Sequence, residues 1–283
     1  MQLRSGVPLI ADLDQLKSDP YYTEITGYSR DFLAKHSDAL AGYGRLWGQD
    51  PFMLWSRRWE YPYVAQKAIE YGKSHPGPLR MIDAGSGVTF FPYFVCDHLP
   101  EAQFICIDSN PSYPPMFEAI NKATPNSRVR FTNGMLQKLD MPDSSVDVIC
   151  CISVLEHTDN YGEIVREFAR VLKRGGLLVL TFDLSLDGKF ELRREVAQDL
   201  LNHVSEFFDT SGVPIEQELN RMTDAASSEA GQILSTDHVK RTEPDLLPWR
   251  FPMAKAVHDL IKGHGWTGGF RSKSVFCIRA LRK

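Results

Sequence analysis

Met81-Ile82-Asp83-Ala84-Gly85-Ser86-Gly87-Val88-Thr89 carries apolar residues into an acid and then into two glycines one residue apart. A buried strand ending in a tight turn has this form, because glycine adopts backbone conformations closed to other residues and lets another group approach the main chain closely. A plain glycine turn after a strand has the same form, so the stretch has to be read with its surroundings.

Outward from it, strands and helices alternate. Strand character over 79–84 is followed by a helix over about 90–99, then by Phe104-Ile105-Cys106-Ile107, which ends at Asp108. Pro114 and Pro115 open a helix carrying Met116, Phe117 and Ile120, and Val129-Arg130-Phe131 is a weak third strand. The run from Val146 to Ile152 is a strong fourth. Ile164, Val165, Phe168, Val171 and Leu172 mark the next helix, closed by Lys173, Arg174, Gly175 and Gly176. Residues 177–182 are then continuously apolar, as a strand buried on both faces of a parallel sheet must be. This alternation predicts an α/β fold with a doubly wound, mostly parallel sheet. Such sheets bind ligands beyond the carboxyl ends of their strands, where Asp83, Asp108, the segment after Ile152 and Asp183 fall.

Two flanking segments break the rhythm. Residues 1–78 are rich in aromatics, including Tyr43, Trp47, Trp55, Trp59, Tyr61 and Tyr63, which is foreign to a disordered tail and predicts an ordered helical extension. Pro62 suits the first position of a helix over 62–73. In residues 184–250 a long amphipathic helix is expected over about 189–208, a short one around Ile215, Leu219 and Met222, and a polar loop over 225–242. Leaving the carboxyl end of a central strand, this insertion reads as a lid over the pocket; rim decoration or a dimer contact, and hence a homodimer, is the alternative. A helix over about 253–263 and a strand over 275–281 complete the core, so the chain divides into 1–78, 79–183, 184–250 and 251–283.

Composition narrows the function. The 283 residues are 43% hydrophobic and 24% charged, ordinary for a globular chain, and no stretch nears the roughly 18 uninterrupted apolar residues of a membrane span. The first residues lack an apolar leader, which makes a cytoplasmic location the expectation. A net charge of -4 gives no electrostatic reason to expect nucleic acid. Cys96, Cys106, Cys150, Cys151 and Cys277 show no metal-ligand spacing and read as core residues, so no metal is expected.

The order of motifs resembles the class I methyltransferases that use S-adenosylmethionine, of the broad small-molecule type, whose Rossmann-like sheet has seven strands. Residues 81–89 are similar to that family's first motif, and Asp108 stands where its ribose-binding acid ends the second strand. Asn133-Gly134-Met135-Leu136 and Asp143-Ser144-Ser145-Val146-Asp147 resemble its adenine loop and fourth strand, Val154-Leu155-Glu156-His157 the segment after it, and Leu172 to Leu177 the turn into the fifth. The match covers residues 79–183 and leaves both flanking segments unexplained. It implies a cofactor site at Asp83, Gly85, Ser86, Gly87, Asp108, Ser109, Met135, Leu136 and Ile152. Thr89 replaces a frequent third glycine, and Met135 stands where an acid often reaches the adenine amino group.

Each position also has a physical reading. Asp108 lies 21 residues after Gly87, near the spacing at which an acid on the neighbouring strand meets ribose hydroxyls. Phe90 occupies the position where a dinucleotide fingerprint wants glycine, which favours a cofactor without a pyrophosphate. Aromatic faces near a sulfonium attract it, so Trp55, Trp59, Tyr61 and Tyr63 are candidate pocket walls, with Arg57 or Arg58 for a carboxylate and His238 from the expected lid. His157, Glu156 and Asp183 are the candidate bases for an acceptor that loses a proton. The expected function is methyl transfer to oxygen or nitrogen of a small molecule. The alternatives are a cofactor-binding enzyme of cyclisation or decarboxylation, and a non-catalytic partner subunit.

Overall fold

The computed structural model describes residues 1–43, 50–125, 127–188, 192–223, 232–247, 252–261 and 271–283. Trp47, the expected helix start over 189–191, residues 225–231 of the expected loop, the end of the insertion at 248–250 and the expected helix end at 262–263 lie outside them.

Seven strands form one sheet: β1 (Leu79–Ala84), β2 (Ala102–Asp108), β3 (Val129–Asn133), β4 (Val146–Ile152), β5 (Leu172–Ser185), β6 (Phe208–Asp209) and β7 (Lys273–Arg282). Their spatial order is β3-β2-β1-β4-β5-β7-β6, with β7 antiparallel to both neighbours. The chain runs outward through β1, β2 and β3 and then returns to β4 on the other side of β1. The carboxyl ends of β1 and β4 therefore flank the crevice at which such sheets take ligands. This is the doubly wound, mostly parallel arrangement that the alternation of strands and helices predicts.

Alternation of side chains across each strand builds two apolar layers. Met81, Val148, Val179 and Cys277 face the layer with α3 (Arg57–Ser74), α4 (Phe91–His98) and α5 (Pro114–Ala123). Ile82, Ile149, Leu178, Leu180 and Phe276 face the one with α6 (Tyr161–Val171), α7 (Arg194–Phe207) and α8 (Ile215–Thr223). All five cysteines are buried free thiols in these layers.

The N-terminal extension holds α1 (Ile10–Lys17) and α2 (Pro20–Lys35), which lead to α3. Helix α3 begins five residues earlier than Pro62 suggests and carries that proline in its interior. An interior proline removes one helical hydrogen bond and costs about 3 kcal/mol. Burial of Trp59, Tyr63, Val64, Ala65 and Ala68 against the sheet offsets this. Helix α6 ends at Val171, and the Lys173 to Gly176 turn lies inside β5, where the register to β4 shifts and Gly175 takes φ +73°.

The insertion does not act as one unit. Helix α7 starts at Arg194 and buries Ala197, Leu200, Leu201 and Val204 in the second layer, so it covers the sheet face instead of the crevice. It feeds β6, whose two residues are too short to show in the sequence. Part of the expected 225–242 loop is a helix, α9 (Thr236–Thr242), with Ser235 capping it by accepting the His238 amide and Thr236 and Val239 buried. This part docks on the extension: Leu9 bridges to Ile233, the Leu234 amide donates to Pro8, and the Trp55 amide donates to Leu246. The last helix is α10 (Pro252–Ile261).

Candidate active site

At the carboxyl end of β1 the amides of Gly85 and Ser86 donate to the Ile107 carbonyl at 2.8 and 3.1 Å, tying the turn to β2. Gly85 and Gly87 hold φ +70° and +52°, which favour glycine. Both are also tightly lined: a β-carbon at Gly85 would lie 2.4 Å from a Val154 methyl, and one at Gly87 2.4 Å from the Tyr43 hydroxyl. The Ser86 hydroxyl donates to the Gly87 carbonyl.

Asp108 closes the other side. Its two carboxylate oxygens accept the Gly87 and Asn110 amides, each at 3.0 Å, and its carbonyl accepts the Asn133 amide side chain and the Gly134 amide. Each carboxylate oxygen keeps a lone pair, which suits a pair of hydroxyls. Ser109 and Met135 are exposed, whereas Leu136 and Ile152 are buried beside the loop's strands.

Asp83 is 3% exposed at the end of β1. Burial, and then the Asp108 charge, raise its carboxyl from 3.8 to about 8, and no donor among the described residues enters into that balance. The folded state thus binds this proton more tightly than the unfolded chain. Its contribution to stability is full below pH 3.8 and is lost as pH rises through about 8. A cation brought to Asp83 would reverse the shift and expel the proton.

A second cluster lies beyond β4 and β5. Glu60, fully buried on α3, accepts the Ser153 and Thr181 hydroxyls on one oxygen, both at 2.6 Å, and Arg57 on the other, also at 2.6 Å. Ser153 holds φ +50°, in the left-handed region. Glu156 accepts the Asp183 amide at 3.1 Å, and Asp183 pairs with Lys273 on the first residue of β7. The other carboxyl oxygen of each, Glu156 Oε2 and Asp183 Oδ1, is buried with no partner among the described residues. Burial raises the Glu156 carboxyl well above its usual range, and the neighbouring Asp183 and Glu60 charges add to this against Arg57. Burial alone would depress Arg57, but Glu60 foremost, then Tyr61, Asp183 and Glu156, hold it above its ordinary value.

The expected residues therefore part into groups. Asp83, Gly85, Ser86, Gly87 and Asp108 converge on one crevice, and Glu156 and Asp183 meet beside it. His157 is exposed on the short 3-10 turn 155–157, unlike its neighbour Glu156. Trp55, Arg58 and His238 do share a cavity of about 260 Å³, lined also by Lys17, Val239 and Glu243. Trp59 and Tyr63, in contrast, are fully buried, and the Tyr63 hydroxyl pairs with Ser5 at 2.7 Å. One helical turn apart on the sheet side of α3, they pack within the first apolar layer. Arg57 shares with Arg58 the expectation of a carboxylate partner and finds it in Glu60, whereas Glu60 and Lys273 were not singled out by sequence. The i, i+3 spacing of Arg57 and Glu60 is a readable signal; Lys273, 90 residues from Asp183, has none.

Known proteins agree with this geometry. Residues 82–180 match the family model described as a methyltransferase domain. The chain is 27% identical over 139 residues to the uncharacterized methyltransferase YcgJ of Bacillus subtilis (strain 168), covering 47% of this chain and 50% of that one. It is 30% identical over 141 residues to the malonyl-[acyl-carrier protein] O-methyltransferase of Laribacter hongkongensis (strain HLHK9), covering 47% and 46%. The chain thus spans about half the length of the curated relatives it matches. Among solved structures, a candidate sarcosine dimethylglycine methyltransferase from Galdieria sulphuraria shares the fold, with a TM-score of 0.51 and 14% identity over 86% of this chain and 98% of that one. Through residues 82–180 the chain is similar to the class I methyltransferases, the superfamily that uses S-adenosylmethionine. No group of side chains suited to a metal ion occurs among the described residues, and none of their helices is long and apolar enough to cross a membrane.

Proposed function

We propose that this chain transfers the methyl group of S-adenosylmethionine to oxygen or nitrogen of a small molecule. The observation that carries the reading is the pairing of Asp108 with the glycine turn beside a buried Asp83 that lacks a donor. Asp108 would accept the ribose hydroxyls, Asp83 the ammonium group, and Gly85 to Gly87 would support the amino-acid portion, with Leu136, Ile152 and the backbone near Met135 beside the adenine. Bound there, the sulfonium supplies an electrophilic methyl group.

The chain's own residues do the rest. Orientation of two reactants with water excluded is worth on the order of 7 to 11 kcal/mol of barrier lowering, more than a typical base provides. We assign the cavity at Trp55, Arg58 and His238 to the acceptor. Phe52 links it to the donor loop, since its carbonyl accepts Arg58 and its ring lies 5.6 Å from that of Phe90. We assign Asp183 and Glu156 as the candidate bases for the proton that an O–H or N–H acceptor releases. The segment 232–247 would cover the acceptor side through its contacts with the extension.

Calorimetric titration with S-adenosylmethionine and S-adenosylhomocysteine tests the reading, and absence of binding by both would sink it. Methyl-labelled donor separates transfer from cyclisation or decarboxylation, since label reaches the product only in the first. Titration of S-adenosylhomocysteine near pH 7 in buffers of different ionisation enthalpy should show release of up to about one proton as the ligand's ammonium meets Asp83. Asp83→Asn should abolish that release; a buffer-independent heat in the parent protein would remove Asp83 from the ammonium site.

A further inference from the structure

The cavity of about 260 Å³ lies where three segments meet: α1 brings Lys17, the start of α3 brings Arg58 close to Trp55, and the segment around α9 brings Leu234 and Glu243. Its two cations come from different helices yet converge on one carboxylate. Arg58 Nη1 donates to Glu243 Oε2 at 2.8 Å, and Lys17 Nζ to Glu243 Oε1 at 3.1 Å. Arg58 Nε donates to the Phe52 carbonyl at 3.0 Å, which leaves Nη2 with no partner among the described residues. Burial pushes the Glu243 carboxyl up, but the hydrogen bonds from Lys17 and Arg58 together hold it below its ordinary value.

Glu243 is held lightly for a residue in this position. Its side chain is 44% exposed, and ion pairs so open to water contribute little to stability. Its backbone is tied independently, the amide donating to Val239 at 2.8 Å and the carbonyl accepting from Leu246 at 3.0 Å, so the side chain can swing out while the wall stays. With Glu243 turned to water, Lys17 and Arg58 outnumber Asp14, the remaining acid of the lining. The rest of the wall is largely apolar, and the volume falls just below the roughly 300 Å³ from which ligand pockets usually start. Such a space suits one ring or a short chain carrying one anionic group.

We propose that this cavity takes a small monocarboxylic acid with an apolar body, whose carboxylate replaces that of Glu243 on Arg58 and Lys17 while the body packs against Trp55 and Leu234. This deepens, and rests on, the assignment of the cavity to the methyl acceptor. The carboxylate is then the group that orients the acceptor, through a guanidinium whose fork matches it and which Phe52 already holds in place.

The test titrates the full chain at low salt with benzoate and phenylacetate, and with benzamide and benzylamine as neutral and cationic counterparts, followed by ligand-observed NMR. The carboxylates should bind at least about tenfold tighter than benzamide or benzylamine. Arg58→Gln should weaken them about tenfold and Lys17→Gln about fivefold, the size of a charged hydrogen bond discounted for exposure. Glu243→Gln should tighten the carboxylates about fivefold and weaken benzylamine, an opposition of sign that mere loosening of the fold would not produce. Thermal unfolding checks that the variants compared are folded. Carboxylates that bind no better than benzamide, or no better to Glu243→Gln than to the parent, overturn the proposal. Uptake of S-adenosylhomocysteine without carboxylates removes this site alone; carboxylate binding with the expected charge pattern in a chain that takes up no S-adenosylmethionine keeps the site and removes the methyl-acceptor reading.

Discussion

Asp108→Ala should lower affinity for S-adenosylhomocysteine by about a hundredfold or more. Hydrogen bonds to a charged group contribute about 1.5 to 3 kcal/mol each, and two ribose hydroxyls would lose theirs at once. The substitution also deprives the Gly87 and Asn110 amides of their acceptor, so the turn itself loosens. Asp108→Asn keeps one acceptor oxygen and should fall between. Because Asp108 is partly exposed, the unfolding temperature should move little, which separates lost binding from lost structure. Calorimetry on folded protein checks this, and parent-like affinity in Asp108→Ala would place the nucleoside elsewhere.

Glu60→Ala should have the largest effect on stability. Glu60 joins α3 to the ends of β4 and β5 by three hydrogen bonds of 2.6 Å, from Arg57, Ser153 and Thr181. Removing one partner of a buried ion pair costs roughly 3 to 5 kcal/mol. Arg57 keeps 21% exposure and has Asp183 and Glu156 near it, which favours the lower end. About 3 kcal/mol corresponds to a fall of roughly 6 to 12 °C in Tm for a domain of this kind. Glu60→Gln keeps the shape and an acceptor for the two hydroxyls, so it should lose less. Thermal unfolding followed by circular dichroism distinguishes them; an Ala variant as stable as the Gln variant would show that the charge and its bonds contribute nothing net.

What the sequence revealed follows from the range of the interactions involved. Most strands of the sheet were legible because each is a local apolar run, and the crevice between them because its acids stand at strand ends set by those runs. The 3-2-1-4-5 part of the order follows from right-handed crossovers between such strands. Pro62 misled because the burial of Trp59 and Tyr63 outweighs a local signal for a helix start. Strand β6 escaped because two residues carry no period. Glu60 and Lys273 escaped because their partners lie 93 and 90 residues away, at Ser153 and Asp183, beyond any motif.

The bridge between Gly6 and Cys277, with Leu9 on Ile233 and Trp55 on Leu246, sets an order of events in folding. The bridges of Gly6 and Leu9 need β7 and the segment before α9, so they can close only once those have formed. Such separations make loop closure the slow part of folding. A chain still short of residue 277 has all of β1 to β4 and the glycine turn, yet its leading segment must wait. Docking of the leading segment would therefore be a late step, measurable by a slow phase in refolding.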